Sequence, residues 1–185
     1  MNLSKVVFGF ILIFPIVLGS ASDKVAEPEG YRLDQYDAPV PETLNGAKVV
    51  DVVNVKQLVE TGSVIPIDVL PAVRKPESLS SESLWLPPPH YGIPGSLWLP
   101  DVGRGKLNDQ LNLYFQTALE QVTGKKFTVG LMFYCRPDCW MSWNAAKRAV
   151  KEYGYRNVYW FPDGISGWNL VSDQTEKLVP YEFGS

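Results

Sequence analysis

The two cysteines of the 185-residue chain, Cys135 and Cys139, are the residues best suited to covalent chemistry. A thiolate is a strong nucleophile, and two neighbouring thiols can also form a disulfide. The apolar residues 127–134 predict a buried strand before Cys135, and residues 142–153 predict a helix after Cys139. Cys135 is therefore expected at the carboxyl end of a parallel strand, where ligands bind in open α/β sheets.

The loop between this strand and this helix is expected to surround a negatively charged sulfur atom. N–H groups at a helix start lack partners and favour an anion, so the pKa of Cys135 is expected below that of a free thiol. Arg136 would strengthen this effect, and Asp138 would oppose it. We predict Cys135 and Cys139 as the reactive pair. The predicted substrate-binding residues are Arg136, Asp138, Trp140, Met141 and Ser142.

The plainer alternative is that the cysteines form a structural disulfide or remain inert thiols. A disulfide between residues this close in sequence closes a small loop and adds little stability. Trp140 and Trp143 could either pack in the core or form the wall of a ligand pocket. No metal site is predicted, because His90, the single histidine, and carboxylates would have to complete the ligand set.

Strands that alternate with helices predict an α/β fold, in which a parallel sheet is covered by helices on both faces. Asn54 is the expected cap of the first helix, and residues 162–168 are expected to form a turn followed by a Gly-Trp element. The predicted strands are 49–53, 64–70, 96–99, 127–134 and 158–161, and the predicted helices are 55–61, 108–123 and 142–153.

Residues 1–22 have the layout of a secretory signal peptide. Lys5 precedes an apolar run over residues 6–18, and small residues follow it. This run is shorter than the roughly 20 residues that span a bilayer, so no membrane attachment is expected after cleavage. In an oxidising compartment, two close cysteines tend to oxidise unless a reductant acts on them.

The rest of the chain is expected to form one domain with an N-terminal arm. The arm, residues 23–46, is expected to pack on the domain through Tyr31, Leu33 and Tyr36. The domain covers residues 47–175 with a proline-rich loop at 71–95, and residues 176–185 form a C-terminal tail. The net charge of −3 and the pI of about 5.2 provide no basic surface for nucleic acid.

The order of these motifs resembles the rhodanese family over roughly residues 47–170. The resemblance implies a rhodanese-like fold in which Cys135 is the nucleophile. The phosphatase relatives are disfavoured, because Trp140 and Met141 stand where their arginine would be. The matching elements are Asp68-Val69, His90, 93–96, 133–135, Ala145-Ala146, 153–155, 157–159 and 164–168.

A second resemblance covers nearly the whole chain after the signal segment. It is to exported proteins associated with catabolism that depends on pyrroloquinoline quinone (PQQ), a family named for a CxxCW motif. The resemblance implies a bacterial periplasmic protein with a quinoprotein or oxidoreductase partner, and no cofactor of its own is predicted. The matching segments are 27–32, 38–41, 87–90, 97–100 and 133–148.

Three functions remain open at this point. The first is a sulfurtransferase-type sulfur carrier, in which Cys135 holds a persulfide and exchanges sulfur with a small sulfur-containing or thiol substrate. The second is a dithiol redox protein that cycles Cys135 and Cys139 between thiols and a disulfide. The third is a non-enzymatic accessory or binding protein of the quinoprotein system. Fold alone does not decide whether the chain is an enzyme.

Overall fold

A five-stranded parallel sheet forms the centre of the chain in a computed structural model that describes residues 25–183. The predicted signal segment therefore lies outside the described residues. In chain order the elements are β1 (Ala47–Val49), α1 (Val52–Glu60), β2 (Ile65–Asp68), β3 (His90–Gly92), β4 (Leu97–Trp98), α2 (Asp109–Thr123), β5 (Leu131–Tyr134), α3 (Trp140–Lys151), β6 (Val158–Phe161), α4 (Gly164–Val171) and β7 (Glu176–Leu178). The sheet order is β1-β6-β5-β2-β4, so β5 is the central strand.

The side chains of β5 alternate between two hydrophobic clusters. Leu131 and Phe133 belong to the cluster that contains the buried residues of α2 and α3. Met132 and Tyr134 belong to the cluster that contains Val55 and Trp168 from α1 and α4. Because successive strand residues point to opposite faces, each face of the sheet is covered by a pair of helices. The predicted α/β class with helices on both faces is confirmed.

The helix α2 agrees closely with its prediction, because both of its ends carry clear signals. The Asn108 side chain accepts a hydrogen bond of 2.8 Å from the N–H of Leu111 and caps the start. Gly124 ends the helix with φ +58°, a left-handed conformation that glycine adopts without strain. The strand predicted at 158–161 is also confirmed as β6.

The predicted start of α1 is wrong. The helix begins after Asp51, and not after Asn54, because one Asp51 carboxylate oxygen accepts from the N–H groups of Val53 and Asn54 at 3.0 and 2.9 Å. The strand predicted at 49–53 is therefore misplaced, since β1 covers Ala47–Val49 and shares only Val49 with it. The valine-rich segment 49–53 has the composition of a strand, but Val52 and Val53 lie in the first turn of α1.

Three other bounds near the cysteines differ from the predictions. The strand β5 begins at Leu131, since residues 127–130 form a turn and coil. The helix α3 begins at Trp140, two residues before the predicted start, which places the Trp-Met-Ser segment in its first turn. Residues 164–171 form the helix α4 where a turn and a Gly-Trp element were expected.

A small second sheet lies beside the proline-rich region. The strand β3 at the end of this region pairs antiparallel with β7, with His90 opposite Leu178. Residues 71–89 contain neither helix nor strand, as their proline content predicts. No helix within residues 25–183 is both long enough and apolar enough to cross a membrane.

The arm, described from Val25 onward, lies against α3 and the cysteine loop. The Tyr31 hydroxyl donates to Glu152 at 2.6 Å, and its ring lies 4.3 Å from the Arg148 guanidinium carbon. Tyr36 packs against the core, whereas Leu33, which was expected to do so, is 67% exposed. The arm is held mainly by its tyrosines and its backbone.

Candidate functional site

The two cysteines lie at the ends of one short loop at the carboxyl edge of the sheet. Cys135 follows the last residue of β5, and Cys139 is the N-cap residue of α3. The helix α4 supports the loop from beneath, because the N–H of Ile165 donates to the Cys135 carbonyl oxygen at 3.0 Å. Gly164 has φ +52°, and a Cβ atom there would lie 2.4 Å from that oxygen, so only glycine fits.

The sulfur atoms of the pair are in direct contact. Their Sγ atoms lie 2.7 Å apart, and both cysteines are free thiols. Both residues are buried, with exposed fractions of 2% for Cys135 and 3% for Cys139. The loop between them bends through Asp138, which has φ +53° in the left-handed region that a residue other than glycine adopts only at some cost. This bend returns the chain so that the second sulfur meets the first.

The negative charge of the pair lies on Cys139. A hydrogen bond from the Cys135 thiol lowers the pKa of Cys139 to about 7, against the opposing effect of burial. The N–H groups of Met141 and Arg136 and the charge of the Arg136 side chain lower it further. This is the stabilisation that a helix start gives to a thiolate.

The expectation of a lowered pKa at Cys135 is wrong. Its thiol donates to Cys139, and this hydrogen bond raises the pKa of Cys135 well above that of a free thiol. Burial and the negative charges of Cys139 and Asp68 act in the same direction. The physical reason is position, because Cys139 and not Cys135 occupies the N-cap of α3.

A part of the arm, residues 36–39, lies over the cysteine loop and is called here the covering segment. It forms an antiparallel bridge in which Asp37 is opposite Cys139. The N–H of Ala38 donates to the Asp138 carbonyl at 3.0 Å, and the N–H of Trp140 donates to the Tyr36 carbonyl at 2.9 Å. These contacts hold the arm against the loop that joins the two cysteines.

An ion pair reinforces the covering segment. The Arg136 guanidinium donates to an Asp37 carboxylate oxygen at 2.5 Å, and this contact raises the pKa of Arg136. The sequence analysis missed Asp37, since it lies 99 residues from its partner and the arm was expected to pack on the domain through Tyr31, Leu33 and Tyr36. One feature of the sequence points to Asp37. This carboxylate directly precedes residues 38–41, whose prolines favour an extended backbone.

The remaining predicted substrate-binding residues lie in the first turn of α3. The indole Nε1 of Trp140 donates to the Pro39 carbonyl at 3.1 Å, so this indole N–H is bonded to the arm. Met141 is buried and contributes its backbone N–H to Cys139. The hydroxyl of Ser142 donates to the Cys139 carbonyl at 3.1 Å and accepts from the Nε1 of Trp160 at 3.0 Å. The structure thus brings the predicted residues together around the loop.

A buried polar cluster flanks the loop at the end of β2. Asp68 pairs with His90 at 2.8 Å and accepts from the N–H of Leu70 at 2.8 Å. Tyr134 bonds to the hydroxyl of Ser96 at 2.8 Å, and burial raises the pKa of Tyr134 well above its usual value. These contacts join β2, β3 and β5, so the cluster anchors the strands next to the cysteine loop.

Similar proteins are found among the solved structures, and two of them are described here. No protein-family model matches the sequence, and no curated protein matches it either. A thiosulfate sulfurtransferase from Pseudomonas aeruginosa is 15% identical with a TM-score of 0.48, over 75% of this chain and 22% of that one. A 3-mercaptopyruvate sulfotransferase from Escherichia coli with the rhodanese fold is 18% identical with a TM-score of 0.39, over 63% of this chain and 40% of that one. The chain therefore spans less than half the length of each of these two proteins.

Proposed function

We propose that the chain is a rhodanese-like sulfur carrier in which Cys135 and Cys139 act as a pair. One observation carries the proposal: two sulfurs lie 2.7 Å apart at the carboxyl end of the central strand, where main-chain N–H groups face them. Such N–H groups favour an anionic sulfur, either a thiolate or the terminal sulfur of a persulfide. The order of rhodanese-like motifs along the sequence supports the same reaction class.

The first step loads sulfur onto Cys135. The Cys135 sulfur attacks the outer sulfur of a sulfane donor such as thiosulfate, and its proton passes to the Cys139 thiolate. The S–S bond of thiosulfate breaks, and sulfite leaves with the bonding electron pair. The products are a Cys135 persulfide, a Cys139 thiol and sulfite, so atoms and charge balance. The contact of 2.7 Å between the sulfurs makes Cys139 the base for this proton.

The second step returns the pair to its starting state. An acceptor thiolate attacks the outer persulfide sulfur, and the bond to Cys135 breaks to give an acceptor persulfide and a Cys135 thiolate. This thiolate takes the proton back from Cys139. In the absence of an acceptor, the Cys139 thiol can pass its proton to the outer persulfide sulfur and attack the inner one. The persulfide S–S bond then breaks, the internal disulfide forms, and hydrosulfide leaves.

Intact-mass measurement after incubation with thiosulfate tests this proposal. The reduced wild-type protein is expected to gain one sulfur atom transiently and then to lose it as the internal disulfide forms, and Cys135→Ser is expected to gain none. Cys139→Ser is expected to load slowly, because the base is absent, and then to retain its sulfur, because no thiol can displace it. A sulfur adduct that persists in Cys135→Ser would rule out Cys135 as the carrier.

A dithiol redox function is the second candidate, and the direct contact of the two sulfurs favours it. A partner disulfide would be reduced while Cys135 and Cys139 form their own disulfide, with two electrons passing to the partner. Alkylation of the protein after equilibration in glutathione buffers measures this exchange. A pair that stays in one state across the buffer range, while sulfur loading from thiosulfate occurs, would favour the sulfur carrier.

The biological setting is proposed from the resemblance to the PQQ-associated proteins. We place the mature protein in the periplasm, beside a quinoprotein alcohol oxidation system. Growth on alcohols tests this placement with two strains, one carrying Cys135→Ser and one lacking the protein. Growth loss in both strains supports a thiol-dependent role. Loss only in the deletion strain supports the accessory role, and unchanged growth in both contradicts the placement.

A further inference from the structure

The cysteine pair is closed off from small molecules by the chain itself. Both sulfur-bearing residues are at most 3% exposed, although any reaction of the pair requires a second molecule to reach a sulfur. The covering segment crosses the loop through the bridge between Asp37 and Cys139 and through two main-chain hydrogen bonds. A reaction at either sulfur therefore requires this closed form to open, and the covering segment is the part of the arm that is bonded to the cysteine loop.

One contact of the covering segment, its central ion pair, is of a kind that can be released. Tyr36 and Ala38 pack against the core, and the Tyr36 hydroxyl accepts from the N–H of Gly105 at 3.0 Å. Between these anchors the segment is held by its two loop hydrogen bonds, the Trp140 contact and the ion pair between Asp37 and Arg136. The side chains of this ion pair are 67% and 51% exposed, so water and dissolved anions reach them. An exposed ion pair adds little stability and exchanges with other anions.

We propose that Asp37 is an internal stand-in for the anionic group of the substrate, and that its release from Arg136 opens the cysteine pair. The proposal rests on the proposed function and deepens it: the preferred sulfur donors are anions that compete with Asp37 for the Arg136 guanidinium. The loop supplies no other cation at this point, since its remaining residues between the cysteines are Pro137 and Asp138. A neutral donor gains no such advantage.

Two alkylating reagents of similar size test the proposal without any sulfur transfer. Iodoacetamide is neutral and iodoacetate is an anion, so their rates with the reduced full-length protein separate opening from anion binding. Asp37→Asn is expected to raise the iodoacetamide rate about two- to fivefold, as expected for loss of an exposed ion pair. It is expected to raise the iodoacetate rate more, because Arg136 is then vacant.

Two further variants complete the design. Asp34→Asn makes the same change at an exposed carboxylate of the same arm and is expected to leave both rates unchanged. Arg136→Gln breaks the ion pair from the other side, so its iodoacetamide rate, divided by the fraction of thiolate at the pH used, should rise as in Asp37→Asn. Its ratio of iodoacetate to iodoacetamide rates should fall, and this ratio does not depend on the thiolate fraction. Equal rates in Asp37→Asn, Asp34→Asn and wild type would overturn the proposal.

Hydrogen exchange provides a readout that does not depend on the thiols. The N–H groups of Ala38 and Trp140 are bonded across the covering segment, and they should exchange faster in Asp37→Asn than in wild type or Asp34→Asn. Unchanged exchange at both positions would contradict opening. Neither alkylation nor hydrogen exchange involves sulfur transfer. Failure of the protein to accept sulfur from thiosulfate would therefore reject the proposed function without contradicting the opening of the covering segment.

Discussion

The charge of the cysteine pair is set by which residue caps a helix. Cys139 occupies the N-cap of α3 and receives N–H groups of the loop and the helix, whereas Cys135 serves as a hydrogen-bond donor. Above a pH of about 7 the pair therefore holds one negative charge and one shared proton. The residue that resembles the rhodanese nucleophile and the residue that carries the charge are different, and the 2.7 Å contact connects their roles.

The pH dependence of thiolate formation tests this assignment. The pKa of Cys139 is lowered to about 7, so its thiolate is present above that pH and is lost as the pH falls through it. In Cys135→Ala the hydrogen-bond donor is absent, and the midpoint should move up toward the free-thiol value of about 8.5. Ultraviolet thiolate absorbance of the reduced protein measures the midpoint without access to the sulfur. A midpoint that remains near 7 in this variant would contradict the assignment.

Ser142 is predicted to act through stability. Its hydroxyl bridges the Cys139 carbonyl and the indole N–H of Trp160, and all three groups are buried. Ser142→Ala leaves this indole N–H without its partner and is expected to lower the free energy of unfolding by about 1–3 kcal/mol. Urea denaturation measures the loss, and Ser142→Thr, which keeps the hydroxyl, is the control. Equal stabilities of the Ala variant and wild type would contradict this role.

The bounds of helices with clear capping residues could be predicted from the sequence, whereas bounds and contacts that depend on tertiary structure could not. The bounds of α2 follow from Asn108 and Gly124, whose capping effects are local. The start of α1 was misplaced because a β-branched segment fits either a strand or a helix until Asp51 caps it. In the site, the order of strand, cysteine loop and helix was predictable. Asp37 was not, because nothing local links the arm to Arg136.

The junction between α4 and the cysteine loop provides a matched pair of glycines. Gly164 and Gly154 both have positive φ, but only at Gly164 would a Cβ atom meet the Cys135 carbonyl. Gly154→Ala is expected to cost about 1 kcal/mol from backbone strain alone. Gly164→Ala should cost more and also shift the thiolate midpoint, because the loop must move. Urea denaturation and thiolate absorbance measure both effects, and equal behaviour of the two variants would contradict the support role of α4.

At the scale of the whole molecule, Arg148 connects the arm to the domain. Its guanidinium is buried and donates to the carbonyls of Val102, Arg104 and Gly105, and the ring of Tyr31 lies against it. One side chain of α3 thus holds both the loop before α2 and the first tyrosine of the arm. The arm that covers the cysteine loop is therefore also held at Tyr31, well before the covering segment.

Removal of this connection is expected to affect stability and thiol access together. Arg148→Ala should lower the free energy of unfolding by about 3 kcal/mol, because three buried carbonyls lose a charged donor. It should also increase the iodoacetamide rate under native conditions, since the arm loses its Tyr31 contact. Arg156→Ala, at an exposed arginine, is the control and should change neither quantity. A destabilised Arg148 variant with an unchanged alkylation rate would show that the arm is held independently.

The 99-residue separation between Asp37 and Arg136 has a consequence for the newly made polypeptide. Asp37 is synthesised 99 residues before Arg136, so the covering segment has no partner until the cysteine loop has also been made. Every molecule therefore passes through an interval in which both thiols are bare. Oxidation of the pair is therefore expected to be fastest in that interval, before the covering segment restricts access to the two sulfurs.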